Sequence, residues 1–409
     1  MAKATTTYPL AGVKVLDLST LLAAPISALA LADWGADVIK VEPLTGDYLA
    51  RMIGATMNCP FKPDDNICFE IINRNKRGIA VDMKTDEGKA IIHKLLTNTD
   101  VMITNFRPEA LKRLDMDYES VSKKFPRLIY AYLNGYGDKG QDRNKPGFDL
   151  AAYFVRSGIS VEFGEPGTEP LPPVAGFGDT TTGTFLAGGI CAALLNRART
   201  NKGCKVQIAL YSAALWSLSL DIASANNTEG GWGRPSRSKP RHGLLNSYKT
   251  SDGRWLTIMA VDHDRYWSVF CKKVLRIPEL ADDPRFSKVL AAIENGESQA
   301  EIIRCEFEKH ALAELIHRLR EADVVYEVCQ RWHEIKYDPQ AIENNFIMKY
   351  ELPSGRTDWI VGNPIKFNGE DMVVSRRAPL LGEHGAEVLK EIGYSPDQIT
   401  ALREKKIVI

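Results

Sequence analysis

The sequence predicts an α/β fold in which a parallel sheet dominates a large first domain and a second, smaller domain follows. Three observations carry this. Short β-branched apolar runs alternate with segments of helical spacing through residues 13–137, the pattern of βαβ units. Those runs are apolar nearly throughout and bounded by polar turns, which fits a sheet covered on both faces. The chain has 409 residues, more than one hydrophobic core usually organises.

The elements follow in order. "VKVLDLS" (13–19) reads as a strand, and "PISALALADWGA" (25–36) as a helix with Pro25 in its first turn. "DVIKVEP" (37–43) is a second strand, stopped by Pro43. "GIAVDM" (78–83) is a strand, "DEGKAIIHKLLTNT" (86–99) an amphipathic helix and "DVMITNF" (100–106) a strand. "PEALKRL" (108–114) starts a helix on a proline, and "RLIYAYLNGYG" (127–137) is a strand entering a glycine turn. From 180 the spacing is helical, first through "TTTGTFLAGGICAALLNRART" and, after the "NKGC" break, through "KVQIALYSAALWSLSLDIASANN". Residues 227–243 are polar, basic and rich in Gly and Pro, a linker. A hairpin around "SDG" is expected over 244–261, helices over 263–275, 286–295 and 297–320, strands around a turn over 350–367, and two short helices at the end.

Lys plus Arg total 52, as do Asp plus Glu, so the net charge is zero. Nucleic acid is not the expected partner, because phosphate neutralisation needs a basic surplus. The first residues carry no continuous apolar segment or cleavage pattern, and no run of about 18 apolar residues occurs, so neither a secretory signal nor a membrane span is expected. The seven cysteines are odd in number and include no C-x-x-C, which points to a reducing cytoplasm rather than a disulfide framework or zinc site. The histidines are scattered, and no metal site is expected.

In a parallel sheet, ligands bind beyond the carboxyl ends of the strands. These ends lie at Ser19–Pro25, Pro43–Asp47, Asn105–Pro108 and Gly135–Lys139. The first reads "STLLAAP", without G-x-G-x-x-G, so a dinucleotide site is disfavoured, and no G-x-x-x-x-G-K-[ST] occurs. Arg74, Lys76, Arg77, Lys84, Arg107, Lys112 and Arg113 gather near the second and third strands. By composition they are a solvated face; by position they suit an anionic, nucleotide-like ligand. In "GFGDTTTG" (176–183), Asp179 precedes a helical pattern, as a common N-cap does. The same position at the positive end of a helix would hold a carboxylate ionised, as a nucleophile requires, with Gly176, Gly178 and Gly183 leaving room for substrate.

The ordered series "GVKVLDLS", "LADWGADVIKVEP", "NRNKRGIAVDMKTDEGK", "DVMITNFRPEALKRL", "NGYGDKG", "KPGFDLAAYFVRSG", "GFGDTTTG" and "APLLGEHGAEVLKEIGY" resembles the family III CoA-transferases over most of the chain. The resemblance implies that Asp179 is a covalent nucleophile, passing through an acyl-aspartyl anhydride and an aspartyl-CoA thioester, with nearby backbone N–H groups stabilising the oxyanions. It implies CoA contacts by Lys76, Arg77, Asn105, Phe106, Arg113 and Tyr136. An acyl pocket at Leu22, Ala23, Phe148 and Asp149 is implied as well. CoA thioesters would be substrates, with a carboxylic acid as partner, no tightly bound cofactor and no metal. The implied fold is a Rossmann-like large domain plus a small α+β domain, in a homodimer of interlocked rings; on this chain it implies a large domain over 1–226, a linker over 227–243, a small domain over 244–325, and a linker and return to the large domain over 326–409. Leu22 and Ala23 stand where oxalate-type relatives place a polar glutamine. An apolar wall disfavours a second carboxylate. The spelling is similar to the phenyllactate and 2-hydroxyisocaproate branch of amino-acid fermentation, with carnitine-, bile-acid- and formyl-CoA:oxalate-type transfer as alternatives. A catalytically silent CoA-binding protein and an ATP-dependent ligase are the rivals from other classes; the missing phosphate loop disfavours the ligase.

Overall fold

The computed structural model describes residues 8–56, 65–228, 236–237 and 239–409. Of the glycine-rich stretch expected as a linker, 227–243, residues 229–235 and 238 lie outside the described residues. The chain divides into two compact units. The large unit comprises Met1–Ile159, Pro172–Ile222 and Pro339–Ile409, the small one Ser160–Leu171 and Ala223–Asp338. The small unit is thus wider than the expected 244–325: it begins earlier, runs further and takes in a segment from before the long helix.

The large unit is built on six parallel strands: β1 (Lys14–Leu18), β2 (Asp37–Glu42), β3 (Lys76–Ala80), β4 (Val101–Thr104), β5 (Ile129–Asn134) and β6 (Lys205–Ala209). Their order is β3-β2-β1-β4-β5-β6, the doubly wound order of Rossmann folds. Successive side chains leave opposite faces. Val15, Val101, Ile103, Ile129, Ala131 and Leu133 enter one core with the helices Ala23–Asp33 and Phe177–Thr200. Leu16, Leu18, Met102, Tyr130 and Tyr132 enter the other, with helix Asp86–Thr97 and with Val388 and Leu389 from near the C-terminus. Both faces are therefore covered, as the unbroken apolar runs require.

β6 is a correction. Residues 205–227 read as helical, yet Lys205–Ala209 pairs with β5 and the helix starts only at Leu210. The run is apolar across the junction, so periodicity has no break to show. The long helix also begins at Phe177 rather than at 180. The hairpin, the strands around a turn and the two closing helices stand as expected. In the small unit β7 (Ser247–Lys249), β8 (Trp255–Ile258) and β9 (Tyr326–Val328) form an antiparallel sheet over a separate core.

Candidate active site

The strand order reverses between β1 and β4, and the crevice beyond their carboxyl ends is where such sheets bind ligands. Two loops form its floor, Ser19–Leu22 after β1 and Asn105–Arg107 after β4. The Asn105 amide joins them: it accepts from Thr20 N–H at 2.9 Å and donates to Thr20 O at 2.8 Å. Leu21 sits at φ 66°, a left-handed conformation that a leucine rarely adopts. Its N–H donates to Asp47 at 2.8 Å, which holds it there. Beneath lies a buried ion cluster. Lys40 donates to Ser19 O at 3.2 Å and pairs with Asp47 at 3.5 Å. Lys76 donates to Asp17, Pro25 O and Asn73 at 2.8 to 2.9 Å. Burial works against ionisation of Asp17, but Lys76 and Lys40 outweigh it and hold its carboxyl below the usual range.

Asp179 reaches this floor from the long helix. Gly176, at φ 83°, is the N-cap, so Asp179 is the third helical residue and not the cap. The capping acceptor comes from elsewhere. Asp149, which opens the π-helix Asp149–Val155, accepts from Gly176 N–H at 2.7 Å and from Leu150 N–H at 2.7 Å. Asp149 thus supplies the acceptor that Gly176, having no side chain, cannot. Asp179 is expected to be held ionised by the helix terminus; its surroundings act in the opposite direction. Burial, and then the charge of Asp149, push its carboxyl up to about 7. No hydrogen bond to the Asp179 carboxylate is found among the described residues.

Gly178 and Gly183 make room for protein rather than for substrate, while Gly176 faces open space. A Cβ on Gly178 would stand 2.4 Å from the Tyr153 ring, and one on Gly183 2.4 Å from Ala23 O. Gly183 thereby brings the long helix against the first helix, one turn after Asp179.

A cavity of about 310 Å3 opens beside Asp179. Leu21, Leu22, Ala23, Leu49, Phe148 and Leu210 supply apolar wall, and Arg107, Arg143 and Lys145 supply positive charge. A poorly solvated carboxylate, an apolar wall and a cationic edge suit nucleophilic attack on an anionic acyl carrier.

The sequence pattern of CoA-transferase family III matches residues 10–385. The chain belongs to CoA-transferase family III. It is 38% identical over 399 residues to the (R)-2-hydroxy-4-methylpentanoate CoA-transferase of Clostridioides difficile, covering 98% of this chain and 99% of that one. It is 32% identical to the cinnamoyl-CoA:phenyllactate CoA-transferase of Clostridium sporogenes, covering 97% of each. The crystal structure of a CAIB/BAIF family protein from Brucella suis superposes with a TM-score of 0.80 at 28% identity, covering 95% of this chain and all of that one.

The chain is thus an enzyme, a family III CoA-transferase, and enzymes of this kind use CoA thioesters as substrates. Its expected site residues fall into two groups. Asp179, Leu22, Ala23, Phe148 and Asn105 line one crevice, with Asp149 behind Asp179 at the helix terminus. Lys76 and Arg77 are elsewhere. Lys76 is fully buried with its donors spent on protein. Arg77 is gripped by Asp37, Glu387 and Glu391 at 2.6 to 3.0 Å. The expectation that these two bind CoA phosphates does not fit their surroundings. Phe106 packs against the second core, Arg113 is exposed at the end of helix Pro108–Arg113, and Tyr136 lies under Lys145 and Arg156, off the crevice. Sequence reasoning missed Arg143 and Lys145; the glycine turn that ends β5 was their only signal. Among the described residues no group of three or more His, Cys, Asp or Glu is placed to hold a metal, and no helix is long and apolar enough to cross a membrane.

Proposed function

We propose that this transferase moves CoA from a 2-enoyl- or 2-hydroxyacyl-CoA to a free monocarboxylic 2-hydroxy acid with a branched or aromatic tail. The observation that carries this is the unbonded Asp179 carboxylate in a crevice with an apolar wall at Leu22, Ala23 and Phe148. Relatives named for 2-hydroxy-4-methylpentanoate and phenyllactate support the same substrate class.

Asp179 attacks the donor thioester carbonyl. The C–S bond breaks, CoA leaves as a thiolate and an acyl-aspartyl anhydride remains. The thiolate attacks the aspartyl carbonyl and expels the donor carboxylate, leaving an aspartyl-CoA thioester. The acceptor carboxylate attacks that carbonyl and displaces the thiolate. The thiolate then takes the acceptor acyl carbon and frees Asp179. No water or ATP is consumed, and splitting the exchange into covalent steps lowers each barrier. Arg107, Arg143 and Lys145 hold the CoA phosphates by charge-assisted bonds, with Asn105 fixing the crevice floor. Asp149 orients the helix terminus and tunes Asp179.

The reading is tested by mass spectrometry of CoA exchange over a panel of acyl-CoA donors and free acids without nucleotide. Hydroxylamine added during turnover should leave a hydroxamate on the Asp179 peptide. Exchange by a folded Asp179→Ala protein at the wild-type rate would refute the nucleophile. A best rate with oxalate would refute the apolar pocket.

A further inference from the structure

The small unit holds a cavity of its own. It measures about 630 Å3, within the range of small-ligand sites, and lies where β8 meets the segment that follows β9. Every charged residue lining it is an arginine: Arg237, Arg254, Arg304 and Arg331. Trp255 forms part of the wall and is 47% exposed.

The carboxylates that meet these arginines stand outside the cavity lining. Arg254 forms a fork with Glu334 at 2.6 and 3.1 Å, Arg237 meets Glu165 at 3.0 Å, and Arg304 meets Glu301. All three pairs are solvent-exposed to a third or more on the arginine side, the kind that contributes little to stability and is readily exchanged. The Arg331 side chain makes no ion pair among the described residues. An uncompensated guanidinium and three weakly held ones converge on one space. That arrangement recognises multiply charged phosphate, for which the planar fork of Arg is suited. The half-exposed indole beside them offers a face on which a planar base stacks. A chain of zero net charge that gathers four arginines without a carboxylate in one cavity is not distributing charge for solubility.

We infer that this cavity of the small unit binds a purine nucleotide carrying two or more phosphates, with the arginines on the phosphates and Trp255 on the base. None of its lining residues lines the Asp179 crevice. The same chemistry is offered by free ADP or ATP and by the nucleotide end of CoA.

The test is calorimetric titration of the full-length protein with ADP, pyrophosphate and CoA. ADP affinity should fall at least tenfold in Arg304→Ala/Arg331→Ala and in Trp255→Ala, and stay unchanged in Arg143→Ala, which alters the Asp179 crevice. Arg331 is exposed and Arg304 partly so, and an unchanged melting temperature and circular dichroism spectrum would confirm that the double variant is folded. Pyrophosphate should bind more weakly than ADP and be indifferent to Trp255→Ala. Displacement of ADP by CoA in the Arg143→Ala protein assigns the site to CoA's own nucleotide, and failure to displace it assigns the site to free nucleotide. No ADP binding, or binding lost in Arg143→Ala and kept in the double variant, would overturn the inference. Pyrophosphate binding as tightly as ADP would overturn the nucleotide class.

Discussion

A buried carboxyl with no hydrogen bond and a second carboxylate acting on it gives up its proton late. Asp179 therefore ionises around pH 7, and the proposed nucleophilic attack needs the ionised form. kcat/KM for the acyl-CoA donor should rise about tenfold per pH unit below 7 and level off above it. Asp149→Asn keeps an acceptor for Gly176 N–H but removes the neighbouring charge, so it should move the midpoint down; an unmoved midpoint would show that Asp149 has no such influence. The same shift sets a stability term. The folded pKa lies above the ordinary 3.8, so the contribution is fully present below pH 3.8 and is lost as pH rises through about 7. Asp179→Asn should accordingly stabilise the fold at pH 8, by up to roughly 4 kcal/mol, and do little at pH 4. Lys76 is the contrasting residue. Removing one member of a buried pair strands its partner, so Lys76→Ala should cost roughly 3–5 kcal/mol of stability. Arg143→Ala should leave stability alone and raise KM for acyl-CoA. The opposite pattern, measured by denaturant titration and steady-state kinetics, would return Lys76 to the CoA site.

At the scale of elements, the position of Asp179 depends on how closely two helices approach. The Cβ of Gly183→Ala would meet Ala23 O at 2.4 Å, and a backbone carbonyl at a helix contact cannot yield without moving the helix. Overpacking of this kind costs roughly 1–3 kcal/mol, and kcat should fall more than KM rises because the nucleophile is displaced. Gly188→Ala is the control. It lies on an exposed part of the same helix with nothing within 4 Å of its Cβ, and should stabilise by about 0.5–1 kcal/mol. Thermal melts of the two variants should move in opposite directions. β6 belongs to this scale too. "KVQIALYSAALWS" is a single apolar run, and only pairing with β5, some seventy residues away in sequence, makes its first five residues a strand.

For the whole molecule, the large unit leaves Phe185, Leu195, Trp216 and Leu220 exposed, Trp216 at 72% and Leu220 at 83%. Exposed apolar side chains of this size are the kind a partner surface covers. We propose that a second copy of the chain supplies it in an interlocked homodimer. Subunits that are threaded through each other cannot part without unfolding, so tagged and untagged dimers mixed under native conditions should not form hybrids. Hybrid formation within minutes would refute the threading.

The sequence by itself determined the parallel sheet, the strand ends that border the crevice, the family, and Asp179 as the residue to watch. These are readable because they rest on local pattern: apolar runs between turns, prolines at helix starts, and short motifs in a fixed order. Tertiary structure alone decided the environment of each side chain. Asp149 and Asp179 are thirty residues apart, and nothing in either segment shows that the first caps the helix of the second. "NRNKRG" reads as a set of free cations; their burial and their partners, Asp17 for Lys76 and Asp37, Glu387 and Glu391 for Arg77, come from remote segments. A residue's charge is written in its type, but whether that charge is spent inside the fold or left for a ligand depends on which distant groups the chain brings against it.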